Sequence, residues 1–264
     1  METHRHQRHK ITEFLRYKEL IRNLVIRDLK VRYKRSILGI FWAFLEPLVL
    51  MILFTIVFNI VLRIKVENYP VFLLCGLLPW KFFSSSLSYS STSIAQHANL
   101  IKKIYFPREI FPLGVIIARL VNFLITLGLL FLFLLAFKIQ FTPYILFLPV
   151  IILLQFFFIV GLSLFFTSLN TFYNDVGFIL EFILFGWFYV TPIFYPISMV
   201  PDRFLSFYML NPMAIIVNSY RNVLLYGQGP DLGQLMTAMP AIALTLVIGW
   251  AVFRRLEYRF AEVL

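Results

Sequence analysis

Charge is scarce in this sequence. Asp, Glu, Lys and Arg make up 14% of its 264 residues, against roughly 25% in an ordinary soluble domain, while hydrophobic types reach 60%. That balance excludes a chain that hides its apolar surface in one water-facing globule, so its solvent must be lipid. Cysteine is almost absent. Cys75 stands alone inside an apolar run, which excludes an intramolecular disulfide and a cysteine metal cage and leaves a small buried hydrophobe. No glycine precedes a lysine, so there is no G-x-x-x-x-G-K-[ST] phosphate loop, and any ATP must be hydrolysed by another polypeptide. H-E-x-x-H and G-x-S-x-G are missing as well. The four histidines (His4, His6, His9 and His97) all lie outside the apolar runs, and the first three read as a solvated basic tail rather than a metal tract. No cofactor or metal is expected in this chain. No internal repeat is visible, which argues against an inverted-repeat carrier.

What is present is apolar length. A helix needs about 20 residues to cross a 30 Å hydrocarbon layer. Runs at 37–62, 70–94, 111–137, 144–169 and 176–200 meet that length, and 234–253 just does, which predicts an all-α membrane domain over 37–264 with six crossings. The first run begins after a long basic segment, so no cleavable leader is expected. The net charge of +11 would suit nucleic acid, but the basic residues flank the apolar runs and point to a membrane surface instead. Eleven Lys/Arg lie between Arg5 and Arg35, three are Lys102, Lys103 and Arg108, and three are Arg254, Arg255 and Arg259. These 17 of 24 fall on one side of a six-span topology, which predicts that both termini are cytoplasmic.

Three segments break the pattern. In the N-terminal arm, 1–36, Ile11, Phe14, Leu15, Ile21, Leu24, Val25 and Leu29 recur at helical spacing among basic residues, which predicts an amphipathic helix in the membrane interface. In the loop 95–110, Asn99 is placed to cap a short helix with Leu100, Ile101, Ile104 and Tyr105 on one face and Lys102 and Lys103 on another. Pro107 would end it, and such a turn suits docking into a partner's groove. Between 201 and 233 the chain is too polar to face lipid and too apolar for a solvated loop. Asn211-Pro212 makes a cap and first turn, Met213, Ile216, Val217, Tyr220 and Leu224 form a stripe, and Gly227 offers a stop. The expectation is a re-entrant helical hairpin over about 202–225, allowed where protein or water shelters it. The serines from Ser84 to Ser93 read as small residues for close helix packing.

Four charges sit inside apolar runs: Glu46, Lys81, Arg119 and Glu181. Each costs about 2.5–3.5 kcal/mol at a helix centre, so each should be paired or wet. Arg119 is expected to pair with Glu46 or Glu181, and Lys81, beside Trp80, to snorkel to an interface. Aromatics reach 18%, and the stretch from Phe185 to Tyr195 is dense in them. Such rings suit either a lipid boundary or the apolar face of a sugar.

The run Arg27-Asp-Leu-Lys-Val-Arg-Tyr-Lys-Arg-Ser-Ile-Leu-Gly-Ile-Phe-Trp42-Ala-Phe-Leu-Glu-Pro47 resembles the first-span entry of polysaccharide-export permeases of the ABC transporter type-2 class. So do Asn99 through Pro112, Phe172-Tyr-Asn-Asp175 through Pro196, and Asn211-Pro-Met through Gly227, in the family's order. Within that class the sequence looks most like the O-antigen exporter permeases and next the teichoic-acid exporters. The resemblance implies a homodimer with two copies of a separate ATP-binding-cassette subunit, which would bind ATP and Mg. It implies a coupling helix over Asn99, Leu100, Ile101, Lys102, Lys103, Ile104 and Tyr105. It further implies gate helices around Phe204, Tyr208 and Tyr220, and a path between protomers lined by Trp42, Trp187, Tyr189, Phe194 and Tyr195. Asn174 departs from the arginine that many relatives carry before the aspartate. The expected function is a non-enzymatic permease subunit moving lipid-linked polysaccharide across the bacterial inner membrane. Two rivals stay open: a proton- or ion-coupled carrier using Glu46 or Glu181, and a membrane glycosyl- or acyltransferase.

Overall fold

A computed structural model describes residues 18–33, 38–39, 41–63, 65–102 and 107–264. Among the described residues the secondary structure is entirely helical, as the composition requires. Helix α1 (Lys18–Tyr33) is followed by α2 (Phe41–Phe54), which continues as a π-helical segment over Thr55–Val61. Next come α3 (Tyr69–Ser91), the short α4 (Ser93–Gln96) and α5 (Ala98–Ile101), and α6 (Ile110–Ala136). A 3-10 turn (Pro143–Phe147) leads into α7 (Leu148–Phe172), and α8 (Asp175–Val190) follows. The chain then forms α9 (Asp202–Met209), α10 (Pro212–Leu224), α11 (Leu232–Leu256) and α12 (Phe260–Val263).

Five helical stretches are long and apolar enough to cross a bilayer: Phe41–Val61, Tyr69–Ser91, Ile110–Ala136, Pro143–Phe172 and Leu232–Val263. The run expected to cross at 176–200 does not stay helical that far. Pro192 disfavours α conformation at Thr191, which is extended (φ −90°, ψ 130°), so α8 ends after 16 residues. At 1.5 Å per residue it reaches about 24 Å, short of a 30 Å layer. The chain is an all-helical integral membrane protein whose outer surface carries apolar side chains that no soluble domain would leave uncovered, among them Leu132, Leu146 and Phe182.

α3 is the axis of the bundle, and most of its residues are buried. It packs against α6, α7 and α10. The serines at its end and at the start of α4 work as small packing residues: Ser90 and Ser93 turn their hydroxyls onto the Leu87 and Ser90 carbonyls, while Thr167 and Asn170 of α7 donate to the carbonyls of Ser90 and Ser91 at 2.8 and 3.1 Å. α7 and α11 approach closely through two glycines. A Cβ on Gly249 would lie 1.9 Å from the Gly161 carbonyl oxygen, so only glycine fits there. α1 lies along α6, with Leu20, Ile21 and Leu24 against the core. This is the apolar face expected of the amphipathic arm, whose positions 11–17 fall outside the described residues. By contrast α2 and α8 have few buried side chains and stand at the margin of the bundle.

Candidate functional site

Between these two marginal helices lies a cleft of about 700 Å³. α3 and α6 form its floor and α2 and α8 its walls, and the four charges noted within the apolar runs line it: Glu46, Lys81, Arg119 and Glu181. Their pairing differs from the expectation. Glu46 forms an ion pair with Lys81, and Arg119 pairs at 3.1 Å with Asp28 of α1. Lys81 is thus paired with a neighbouring helix, and Arg119 finds its carboxylate on α1 rather than on Glu46 or Glu181. The physical reason is register: α1 lies along the half of α6 that carries Arg119, which brings Asp28 over it. The Arg119 guanidinium also covers the Tyr89 ring at 4.0 Å. Serine hydroxyls of α3, Thr92, Gln96 and Asn122 complete a polar lining deep among apolar helices.

At one end of α8 the chain turns sharply, and a buried arginine holds the turn. Arg221 of α10 is 2% exposed. It donates to the carbonyls of Pro192 and Ile193, both at 2.6 Å, and to that of Phe72 at 3.3 Å, and it lies 3.6 Å from the Phe72 ring centroid. The turn needs such a donor because Pro192 and the break in α8 leave carbonyls without helical partners. Gly76 makes room: a Cβ there would sit 2.9 Å from the guanidinium and 3.1 Å from the Ile193 oxygen. Tyr69 donates to the Phe194 carbonyl at 2.8 Å, and Trp187 donates to Asn211, which in turn donates to Thr191. Asn211 also caps α10 by accepting from the Met213 amide at 3.0 Å, as its position before Pro212 predicted. Gly227, at φ +62°, follows the end of α10 in the left-handed region.

At the other end of the bundle, His97 joins three elements. Its Nδ1–H donates to the Ser93 carbonyl at 2.8 Å, which leaves Nε2 to accept from the Arg27 guanidinium of α1, and its ring stacks on Phe111 of α6 at 4.5 Å. Burial pushes this imidazole below its usual pKa. The hydrogen bond to Ser93 works the other way, the Arg27 charge adds to the lowering, and Asp28 opposes it. Nearby, Glu109 at the start of α6 pairs with Arg254 of α11 at 2.8 Å, and Arg254 also holds Glu257.

Residues 19–225 match the family model described as ABC-2 type transporter. The chain belongs to that family. It is 33% identical over 257 residues to the O-antigen export system permease protein RfbA of Myxococcus xanthus, covering 96% of this chain and 98% of the relative. It is 35% identical over 241 residues to a protein of the same name from Klebsiella pneumoniae, covering 90% and 92%. The polysialic acid transport protein KpsM of Escherichia coli is 27% identical over 254 residues, covering 91% and 94%.

The other residues singled out in this ABC-2 chain distribute unevenly. In the 99–105 segment, Asn99 and Lys102 are exposed but Ile101 is 5% exposed and packs into the core, while Lys103, Ile104 and Tyr105 lie outside the described residues. Asn99 is not the cap. The short helix starts at Ala98, and His97 precedes it. Of the aromatic set, Trp42 and Tyr189 are exposed, whereas Phe194 is buried against Phe58 at 4.6 Å and Trp187 is held by Asn211. Tyr195 donates to the Tyr189 carbonyl and bonds Tyr208. Within one protomer Trp42 lies in the first turn of α2, while the others gather at the far end of α8. Phe204 is exposed, but Tyr220 is buried and donates to Gln155 at 2.9 Å, so its place is the core. Arg221, Asp28 and Gln155 escaped the sequence reading. Arg221 was legible in principle, since it falls four residues after Val217 and three before Leu224, on the same apolar stripe.

Proposed function

We propose that this chain is the permease subunit of an ATP-driven exporter that moves a lipid-linked polysaccharide across the bacterial inner membrane. The observation that carries this reading is similarity along almost the whole chain to permeases named for O-antigen export, in a sequence with no nucleotide-binding loop of its own. Two copies would form the path, and two copies of a separate ATP-binding-cassette subunit would drive it from the cytoplasmic side. The distribution of Lys and Arg supports cytoplasmic termini. The outward faces of Asn99 and Lys102 suit contact with that subunit, and Ile101, turned inward, does not. A carrier driven by protons gains no support from Glu46, which is occupied by Lys81.

The test is reconstitution of the permease with its ATPase in proteoliposomes loaded with the lipid-linked glycan of the source cell. Glycan should become accessible on the opposite face only with ATP, and Lys102→Glu should leave assembly of the bundle intact while lowering ATP-coupled export. Movement of glycan by this chain alone, without nucleotide, overturns the reading.

A further inference from the structure

Asn99 and Lys102 lie in a segment whose two roots, His97 and Glu109, are fastened to different helices. His97 is fastened to α1 through Arg27 and to α6 through Phe111. The second root is fastened to α11. Glu109 precedes the first turn of α6, where the helix dipole favours a carboxylate, but its side chain does not bond the free amides there. Glu109 is 4% exposed, and its carboxylate accepts instead from the guanidinium of Arg254, in the last turn of α11, at 2.8 Å. Arg108, one residue earlier, faces the Phe260 ring of α12 at 6.0 Å, and Phe260 is fully buried beside Phe253 and Phe172. Two successive residues at this root thus reach the last elements of the chain.

These links matter because α6 and α11 are not packed side by side. Among the described residues α11 lies along α7 and α10, while α6 lies along α3, α1 and α7. The α7–α11 pair is locked where Gly161 meets Gly249. The start of α6 therefore meets α11 at the grip of Arg254 on Glu109, and whatever moves α11 there carries α7 with it. Stability alone is a poor reason to bury a carboxylate, since desolvation of the two charges offsets much of their attraction. What a buried pair can fix is which elements meet, and in what register.

We propose that the Glu109–Arg254 pair ties the segment bearing Asn99 and Lys102 to α11, so that a push on that segment moves the α7–α11 pair with it. Arg254 is then a positioning residue for export, acting through Glu109 and not on the ATP or the glycan. The proposal rests on the exporter reading above, in which a separate ATPase presses on the outward faces of Asn99 and Lys102.

The experiment uses the full-length permease with its ATPase in proteoliposomes. It reads the ATP hydrolysed per glycan exported, with the Tm of the complex measured beside it. Arg254→Ala should raise that ratio about fivefold, within the range for residues that carry coupling between sites, while hydrolysis continues. Glu109→Gln added to Arg254→Ala removes the stranded charge, so it should restore part of the lost Tm. It should not restore the ratio, because the tie is still absent. An unchanged ratio in Arg254→Ala overturns the proposal. So does a ratio that recovers together with Tm in the double variant, which is what a purely structural pair would give. If Arg254→Ala does not assemble, the double variant decides: a raised ratio supports the tie and an ordinary one overturns it. The unsubstituted complex keeps the two readings apart. Export there without ATP, or no export with it, sinks the exporter reading, whereas ATP-coupled export that Arg254→Ala leaves equally coupled sinks the tie alone.

Discussion

Removing the Arg221 side chain is the sharpest perturbation the fold allows. Arg221→Met keeps much of the aliphatic stem and deletes three hydrogen bonds, to Pro192, Ile193 and Phe72. Hydrogen bonds from a charged donor contribute about 1.5–3 kcal/mol each, and a desolvated guanidinium on an aromatic face about 2 kcal/mol more. Against this stands the desolvation cost of the cation, which the variant no longer carries. The balance, judged from the cost of about 1–3 kcal/mol for each buried carbonyl left without a donor, is a loss of about 3–5 kcal/mol. That corresponds to a fall in Tm on the order of 10 °C. The damage should be local before it is global, because the orphaned carbonyls lie in the turn after α8. Hydrogen exchange should rise first in peptides spanning 187–196, while the α7–α11 pair, locked by Gly161 and Gly249, stays protected. Gly76→Ala attacks the same clamp from the other side by crowding the guanidinium, and it should reproduce the pattern. If Arg221→Met melts within about 1 kcal/mol of the unsubstituted protein, or loosens all helices equally, the clamp does not hold the turn.

Other outcomes follow from the same geometry. His97 is kept neutral, with a folded pKa below the usual value near 6.5, so the unfolded junction binds the proton more tightly. Its contribution is therefore complete above about pH 6.5 and is lost as pH falls toward the lowered folded value, which hydrogen exchange across α1 and 93–102 would record as acid loosening that His97→Gln abolishes. Gly249→Leu must separate α7 from α11, with a loss of at least about 3 kcal/mol in thermal unfolding, since backbone rather than a flexible side chain blocks the way. Arg254→Ala should take from buried Glu109 the cation it pairs with at 2.8 Å and lower thermal stability, and Glu109→Gln in the same chain should recover part of the loss in a double-mutant cycle.

The architecture was legible where it depended on periodicity and length. The central runs at 70–94, 111–137 and 144–169 became α3, α6 and α7 within a few residues, and the Asn211-Pro212 cap and the Met213–Leu224 stripe fell where their residue types require. The fifth run ends as a helix earlier than its hydropathy suggests, for a reason of backbone chemistry: Phe, Tyr, Ile and Val continue past Thr191, but Pro192 removes a donor and forces its neighbour out of the helix. Pairings were illegible for another reason. Asp28 and Arg119 are far apart in sequence, and nothing in either segment says that α1 folds back along α6. The same holds for Ile101. A four-residue helix has no periodicity to read, so which of its sides meets the core is decided by α6 and α3.

The intramembrane charges now fall into an order that composition could not supply. Arg221 is neutralised by fixed backbone dipoles, at the cost of a glycine at position 76 and a broken helix. Arg119 is met by a carboxylate brought in by α1. Lys81 and Glu46 answer one another across the cleft. Each arrangement offsets most of a penalty of about 2.5–3.5 kcal/mol per charge, and each ties together elements distant in sequence, so each is explained by the fold. Glu181 is not. It stabilises no contact seen among the described residues, and a leucine in its place would suit the wall of α8 better. Glu181 forms no ion pair among the described residues, so of the four charges in the cleft it is the one whose replacement by glutamine should cost the bundle least, and a larger loss in thermal unfolding would show that the wall of α8 depends on its charge.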